Sequence, residues 1–249
     1  MFIPLHDKNP RVLIARPWVT MGVIAACTAI FAVQIWLNLQ GQGRLFYGLS
    51  LIPATLSGEA DLSPQLYLVT PAATLLTYSF LHGGGLHLAG NMLFLWVFGD
   101  NIEDAMGHGR FVVFYLLGGV AAGLLQTLAD PASPVPTIGA SGAVAAVMGA
   151  YLILHPRAKI LVPIVIFPVY LPAVFLLLLW IGFQVFTAIT GGGGGIAWWA
   201  HIGGFVAGAL LIVPFRHNSI PLFGGGDPPS GLHLRKAFRR KDPDDGVGP

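Results

Sequence analysis

Charged side chains are scarce in this sequence. They make up 10% of its 249 residues, whereas hydrophobic residues make up 55% and the mean hydropathy is +0.72. Soluble domains carry about 25% charged residues, because their surfaces must be hydrated. The composition therefore excludes an ordinary soluble domain and predicts an integral membrane protein with one membrane domain.

Cysteine and metal-binding motifs are also nearly absent. The single cysteine, Cys27, excludes an intrachain disulfide and lies inside the first apolar run, where we interpret it as a buried filler. The sequence contains no His-Glu-x-x-His motif, and no carboxylate accompanies the histidines expected on the outer side. We therefore predict neither a metal site nor a cofactor.

The basic residues that are present lie almost entirely on one side of the apolar segments. Of the 13 Lys and Arg residues, only Arg44 falls in a segment expected on the other side. By the positive-inside rule, both chain ends are predicted to be cytoplasmic and the number of spans to be even. No small-residue cleavage site follows the first apolar run, which is therefore interpreted as a retained span and not a signal peptide.

Six apolar segments predict an all-α, six-helix membrane bundle. The predicted spans are residues 18–39, 86–101, 111–128, 141–154, 169–190 and 198–215. The expected organisation is a cytoplasmic segment (1–17), the membrane domain (18–215) and a disordered, basic cytoplasmic tail (216–249). The five glycines at 191–195 predict a mobile outer loop that is a candidate gate.

Ser141 stands among small residues in Gly139-Ala140-Ser141-Gly142, at the predicted start of span four. Backbone N–H groups in the first turn of a helix have no intrahelical partner and can bind an anion that forms beside the serine oxygen. Span four is short, and at 1.5 Å per residue Ser141 is expected about 10 Å below the outer surface. Ser141 is thus either a nucleophile or a small residue for close helix packing.

His201 follows Trp198-Trp199, which suits the outer interface, and is therefore expected at the depth of Ser141. Glycines after His201 and small residues after Ser141 would let the two helices approach until the hydroxyl and the imidazole form a hydrogen bond. A structural role for His201 remains the alternative. No acidic residue is placed to orient the ring, so the sequence favours a Ser-His dyad over a triad.

His82, His87 and Asn91 form a third polar cluster, at the head of span two. His87 and Asn91 are four residues apart and so share one helical face, where both can donate hydrogen bonds to a developing oxyanion beside the Ser141 N–H. The other interpretations are helix–helix hydrogen bonds and, more weakly, a metal site.

These residues resemble the rhomboid family of intramembrane serine proteases. The shared motifs span residues 75–211 and comprise Leu75-Leu-Thr-Tyr-Ser-Phe-Leu-His82, His87-x-x-x-Asn91, Gly99-x-x-x-Glu103-x-x-x-Gly107, Gly139-Ala-Ser-Gly142 and Ala200-His201-x-Gly203. The resemblance implies Ser141 as nucleophile, His201 as general base, and His87 and Asn91 at the oxyanion site, with His82, Gly139 and Gly142 in support. It implies cleavage of transmembrane segments of other proteins, and a structural role for Glu103.

Two positions depart from the family pattern. Ala73-Thr74 stand where Trp-Arg is common, and Ala145 stands where an aromatic residue often lies under the histidine ring. A non-catalytic relative that binds transmembrane segments is therefore the main alternative. A transporter or channel is less favoured, because spans four to six carry almost no polar residues in their cytoplasmic halves.

The expected partners are transmembrane protein substrates and the lipid bilayer, with no nucleic acid; the sequence does not indicate an oligomeric state. The expected location is a bacterial inner membrane, with the active site open to the outer side.

Overall fold

The computed structural model describes residues 2–164, 167–191 and 195–224. The first half contains a two-residue strand and six helices: β1 (His6–Asp7), α1 (Trp18–Leu39), α2 (Arg44–Leu49), α3 (Pro53–Ser57), α4 (Thr74–Thr77), α5 (Gly85–Met106) and α6 (His108–Ala129). Next come α7 (Ser141–Leu154), β2 (Lys159–Ile164), β3 (Phe167–Pro172), α8 (Ala173–Ile189) and α9 (Trp198–Phe215). Short 3₁₀ turns lie at Pro64–Leu66, Pro71–Ala73 and Tyr78–Phe80.

Six of the described helices coincide with the predicted spans. Spans one, four and six have the bounds of α1, α7 and α9, while α5 and α6 extend a few residues beyond spans two and three. Among the described residues, α1, α6 and α9 are long and apolar enough to cross a membrane, and α7 and α8 are shorter apolar helices. The chain is therefore a mainly helical, multi-pass membrane protein, and the count of six spans with both ends cytoplasmic stays a prediction.

The prediction of an all-α fold is wrong in one region. Residues 167–172, which include the predicted start of span five, form strand β3, and α8 begins only at Ala173. Strand β2 pairs antiparallel with β3, with Lys159 opposite Pro172, and β1 pairs with β2 through His6 and Leu161. β-Branched and aromatic residues favour this pairing, and two prolines oppose one another at Pro163 and Pro168, where neither could continue a helix.

The predicted tail from residue 216 is also ordered at its start. His217 donates a backbone hydrogen bond to Ala105, and Phe223 and Gly224 donate to Ile153 and Leu154. Residues 217–224 thus pack on the ends of α5 and α7. The remainder of the predicted disordered tail, 225–249, lies outside the described residues, as do 192–194 of the glycine run.

Helix α7 lies at the centre of the bundle. Every residue from Gly142 to Tyr151 is buried, and α7 packs on α5, α6 and α9. Close approach to α9 depends on residues without side chains: a Cβ atom at Gly208 would lie 1.9 Å from the Ala146 carbonyl oxygen, and one at Gly149 would lie 2.0 Å from that of Phe205. Such contacts fix the relative height of α7 and α9, as expected for small-residue packing in membranes.

Candidate functional site

Ser141 is the first residue of α7 and is partly exposed. The chain reaches it through Gly139, whose φ of +120° favours glycine, and Gly139 N–H donates to the Tyr78 carbonyl at 3.0 Å. Upstream, Thr137 and Leu51 exchange two backbone hydrogen bonds. The loop before Ser141 is therefore held on both sides, and no side chain caps the N-terminus of α7. Its first N–H groups can bind an oxygen beside the serine.

His201 lies in the first turn of α9, opposite Ser141. Its Nε2 is 2.9 Å from the Ser141 Oγ, so the structure brings together the hydroxyl and the imidazole that the sequence predicts to meet. The residue as a whole is partly exposed. A serine hydroxyl is activated when a base accepts its proton. The productive arrangement therefore has the Ser141 hydroxyl donating a hydrogen bond to an unprotonated Nε2.

The other ring nitrogen has a partner that sequence reasoning missed. His201 Nδ1 is 2.7 Å from the Oε1 of Gln184, a side chain on α8 that is only 3% exposed. No acidic residue is placed to orient the ring, and Gln184 is neutral. The available signal was the position of Gln184: it is the one amide side chain in the mainly apolar helix α8, where a polar group requires a partner.

Two tryptophans flank the imidazole and were also missed. The Trp180 ring on α8 lies 5.7 Å from that of His201 at an interplanar angle of 37°, and the Trp198 ring lies 6.2 Å away at 90°. The family pattern often has an aromatic residue under the histidine ring at the position of Ala145. In the structure, aromatic contact comes from α8 and from the start of α9 instead.

His87 and Asn91 lie on the face of α5 that points toward Gly139. A Cβ atom at Gly139 would lie 2.8 Å from the His87 Nε2 and 3.5 Å from the Asn91 Nδ2. The Asn91 side chain is buried, and within the described residues its Nδ2 has no hydrogen-bond partner, whereas His87 is exposed. A buried N–H₂ without a partner is costly, which marks it as a donor that a bound oxygen would satisfy.

His82 contacts His87 and makes no hydrogen bond to Ser141 within the described residues. Its ring packs edge-on against that of His87, with centroids 5.3 Å apart, and its backbone exchanges hydrogen bonds with the Gln34 side chain of α1. Both ring nitrogens are buried without a partner among the described residues. His82 also lines a cavity of about 340 Å³ between α1, α2 and the start of α5. It therefore supports His87 and does not reach the serine.

The described residues contain no group of three or more His, Cys, Asp or Glu side chains able to hold a metal ion. The site does contain the Ser141 hydroxyl in a hydrogen bond with the His201 imidazole and the Gln184 amide in a hydrogen bond with the other ring nitrogen. N–H donors without a partner among the described residues lie beside the hydroxyl. Such an arrangement can activate the hydroxyl as a nucleophile and can bind an oxyanion beside it.

Comparisons with a family profile and with individual proteins indicate the same family. A family profile described as "Rhomboid domain" matches residues 70–218. Rhomboid protein 1, mitochondrial, of Saccharomyces cerevisiae is 33% identical over 151 residues, which cover 57% of this chain and 41% of that protein. Rhomboid protease GluP of Bacillus subtilis is 36% identical over 143 residues, covering 56% of this chain and 26% of GluP. RHOMBOID-like protein 1 of Arabidopsis thaliana is 26% identical over 214 residues, covering 78% of this chain and 52% of that protein.

The matched regions span at most about half the length of these relatives, at 41%, 26% and 52%. The match to the family profile, at residues 70–218, includes the whole candidate site from His82 to His201.

Proposed function

The chain belongs to the rhomboid family, and we propose that it is an intramembrane serine endopeptidase in which Ser141 is the nucleophile and His201 the general base. The observation that carries this proposal is the 2.9 Å contact between the Ser141 Oγ and the His201 Nε2, across two helices whose approach depends on glycine. Membership of the family supports it, since one relative is named a rhomboid protease.

In the first step, the Ser141 Oγ attacks the carbonyl carbon of a substrate peptide bond while its proton passes to the His201 Nε2. The carbonyl oxygen becomes an oxyanion, and the imidazole becomes an imidazolium. The tetrahedral intermediate then collapses. The imidazolium gives its proton to the leaving amine, and the new amino terminus departs from a serine ester, the acyl-enzyme.

The oxyanion is stabilised by hydrogen bonds from the backbone N–H of Ser141, the Asn91 Nδ2 and the His87 Nε2. A Gly83 N–H lies 3.5 Å from the His87 Nδ1, which favours the proton on Nε2, where it can be donated. Among the described residues, the Asn91 Nδ2 has no hydrogen-bond partner to give up when the oxyanion forms. Donors held in place before the reaction make a large contribution to transition-state stabilisation.

In the second half of the reaction, water attacks the ester carbon while His201 accepts a proton from the water. The imidazolium then returns this proton to the Ser141 Oγ as the ester bond breaks, and the new carboxyl terminus of the substrate leaves. Water must therefore reach a site below the membrane surface. The exposed ring of His87 and the partly exposed Ser141 and His201 support access from that end of the bundle. Each step uses only side chains, backbone donors and water.

The substrates we propose are transmembrane segments that cross the bilayer beside this site. A helical segment hides its carbonyls in its own hydrogen bonds, so it must unwind locally before Ser141 can attack. We therefore expect cleavage near Gly, Ala or Pro in the substrate, close to the outer interface. The glycines at 191–195 remain a candidate cap, although 192–194 lie outside the described residues.

The alternative is a non-catalytic protein that binds transmembrane segments, and Ala145 argues mildly for it. The rings of Trp180 and Trp198 flank His201 in place of an aromatic residue at position 145, which supports the catalytic proposal.

The comparisons do not support the predicted location in a bacterial inner membrane. The chain is a multi-pass membrane protein, but its relatives include mitochondrial proteins from yeast, fish, mouse and rat beside the bacterial GluP. They do not favour a bacterial inner membrane over a mitochondrial one.

The test is cleavage of a single-pass reporter in proteoliposomes, together with labelling by a fluorophosphonate. Ser141→Ala and His201→Ala are each expected to lower cleavage by about 1,000-fold or more and to abolish labelling. Ser63→Ala and His6→Ala change exposed residues of the same types and should behave as the unaltered protein. Cleavage retained in either dyad variant would defeat the assignment, and an unaltered protein that neither labels nor cleaves would favour a binding role.

A further inference from the structure

We propose that Gln184 is a positioning residue for the reaction: its side-chain carbonyl accepts the His201 Nδ1 proton and so holds the imidazole in the tautomer that can deprotonate Ser141. The proposal deepens the proposed function and rests on it.

The tautomer follows from the two contacts of the ring. A neutral imidazole has one N–H and one lone pair. With the Gln184 Oε1 2.7 Å from Nδ1, the proton belongs on Nδ1, because an amide oxygen can only accept. Nε2, 2.9 Å from the Ser141 Oγ, then keeps its lone pair for the serine proton. In serine proteases an aspartate carries out this orientation, and loss of the correct tautomer there is costly.

The orientation of the ring is fixed by a second side chain on the same helix. Trp180 precedes Gln184 by four residues and so lies on the same face of α8. Its ring contacts both His201 and Phe205, at centroid distances of 5.7 and 6.1 Å. Trp180 therefore limits rotation of the imidazole, while Gln184 sets which nitrogen carries the proton.

Position 145 cannot take over this role in the present packing. Ala145 is fully buried, and its Cβ lies 3.3 Å from where a Cβ at Gly204 would be. An aromatic side chain there would overpack the interface between α7 and α9. Orientation of His201 is consequently supplied by α8, a helix that contributes no reacting group.

A neutral amide differs from a carboxylate in one measurable respect. It accepts the Nδ1 proton but adds no negative charge to favour the imidazolium. Gln184→Glu keeps an acceptor oxygen and adds that charge, whereas Gln184→Met keeps a similar size and removes the acceptor. The two variants separate the effect of tautomer from the effect of charge.

The experiment measures reporter cleavage in proteoliposomes from pH 5 to 9 for the unaltered protein and both variants. Gln184→Met is expected to lower kcat by about 10- to 100-fold with KM nearly unchanged. Gln184→Glu should keep most of the kcat of the unaltered protein. It should also move the acidic limb of the pH profile to higher pH by about one unit, because the carboxylate favours the protonated ring. A residue with a merely structural role would not show a loss of kcat at unchanged KM in Gln184→Met together with recovery of kcat in Gln184→Glu.

Gln126→Met is the matched control. The Gln126 Oε1 accepts a hydrogen bond from the backbone N–H of Ala200 at 3.2 Å, so this variant removes a glutamine contact to α9 one residue from His201, without touching the ring. We expect a lower thermal unfolding midpoint and an unchanged acidic limb. Unfolding midpoints of all variants in the same detergent exclude misfolding as the cause of a lost rate.

The outcomes distinguish the two proposals. An unaltered protein without Ser141-dependent cleavage overturns the proposed function. The role of Gln184 alone is overturned if the unaltered protein is active, Gln184→Met has the same kcat as the unaltered protein, and Gln184→Glu has the same pH profile.

Discussion

Gly204 of α9 packs directly on the backbone of Gly142 in α7: a Cβ atom at Gly204 would lie 2.0 Å from the Gly142 carbonyl oxygen. Gly204 is three residues after His201, and Gly142 directly follows Ser141. The backbone contact between the two glycines thus lies one helical turn or less from the contact between hydroxyl and imidazole, and we expect it to set the distance between these two groups.

Gly204→Ala is expected to push α9 away from α7, lowering the free energy of unfolding by about 1–3 kcal/mol and reducing labelling of Ser141 more than tenfold. Thermal unfolding and fluorophosphonate labelling in one detergent measure both effects. Gly182→Ala on α8 is the control, because a Cβ there meets nothing within 4 Å and labelling should be unchanged. Equal labelling of the two variants would show that this contact does not set the dyad geometry.

Asn91→Ala tests the oxyanion donors. Removal of one such donor is expected to lower kcat by about 100- to 1,000-fold. Thermal stability should hardly fall, because the Asn91 Nδ2 has no partner to lose among the described residues.

Asn101→Ala, ten residues along the same helix, should show the opposite pattern. Its Nδ2 donates to Asp7 and Asp100 at 2.8 and 2.9 Å, so stability is lost while kcat is largely kept. An Asn91→Ala variant that is unstable but fully active per folded molecule would contradict the oxyanion role.

The sequence predicts those parts of the site that depend on helix periodicity and on matching depths. The start of α7 at Ser141 and its meeting with His201 follow from apolar segment lengths and from small residues on two helices. Gln184 could not be paired with His201 in this way, because which face of α8 turns toward α9 depends on packing. The small sheet was missed because apolar strands resemble short pieces of a membrane span in composition.

Glu103 is predicted to attach α1 to the bundle. Its buried carboxylate accepts hydrogen bonds from the backbone N–H groups of Val19 and Thr20 and from the Thr20 hydroxyl, at 2.7–2.9 Å, and also contacts His108. Glu103→Ala leaves the donors at the start of α1 unpaired and should lower the free energy of unfolding by about 3 kcal/mol. Glu59→Ala, at an exposed position, should change it by less than about 0.5 kcal/mol. Equal unfolding midpoints would refute this anchoring role.

Asp7 links the sheet to the helical bundle at the end opposite Ser141. Its Oδ2 accepts hydrogen bonds from the Tyr151 hydroxyl at 2.7 Å and from the Asn101 Nδ2 at 2.8 Å. Burial, reinforced by the nearby Asp100 carboxylate, raises the pKa of Asp7 from 3.8 to about 7. The folded protein therefore keeps a proton on Asp7 at pH values where the unfolded chain has lost it.

This pKa difference makes stability depend on pH with a definite sign. Between about pH 4 and 7 the folded state binds more protons than the unfolded chain, so stability falls as pH rises through this interval and levels off above it. The unfolding midpoint should therefore be lower at pH 8 than at pH 5. Asp7→Asn keeps the shape and an acceptor oxygen but cannot ionise, so it should narrow that difference, whereas Asp61→Asn at an exposed position should retain it. If the unfolding midpoints of Asp7→Asn and the unaltered protein fall by the same amount between pH 5 and 8, a group other than Asp7 causes the pH dependence.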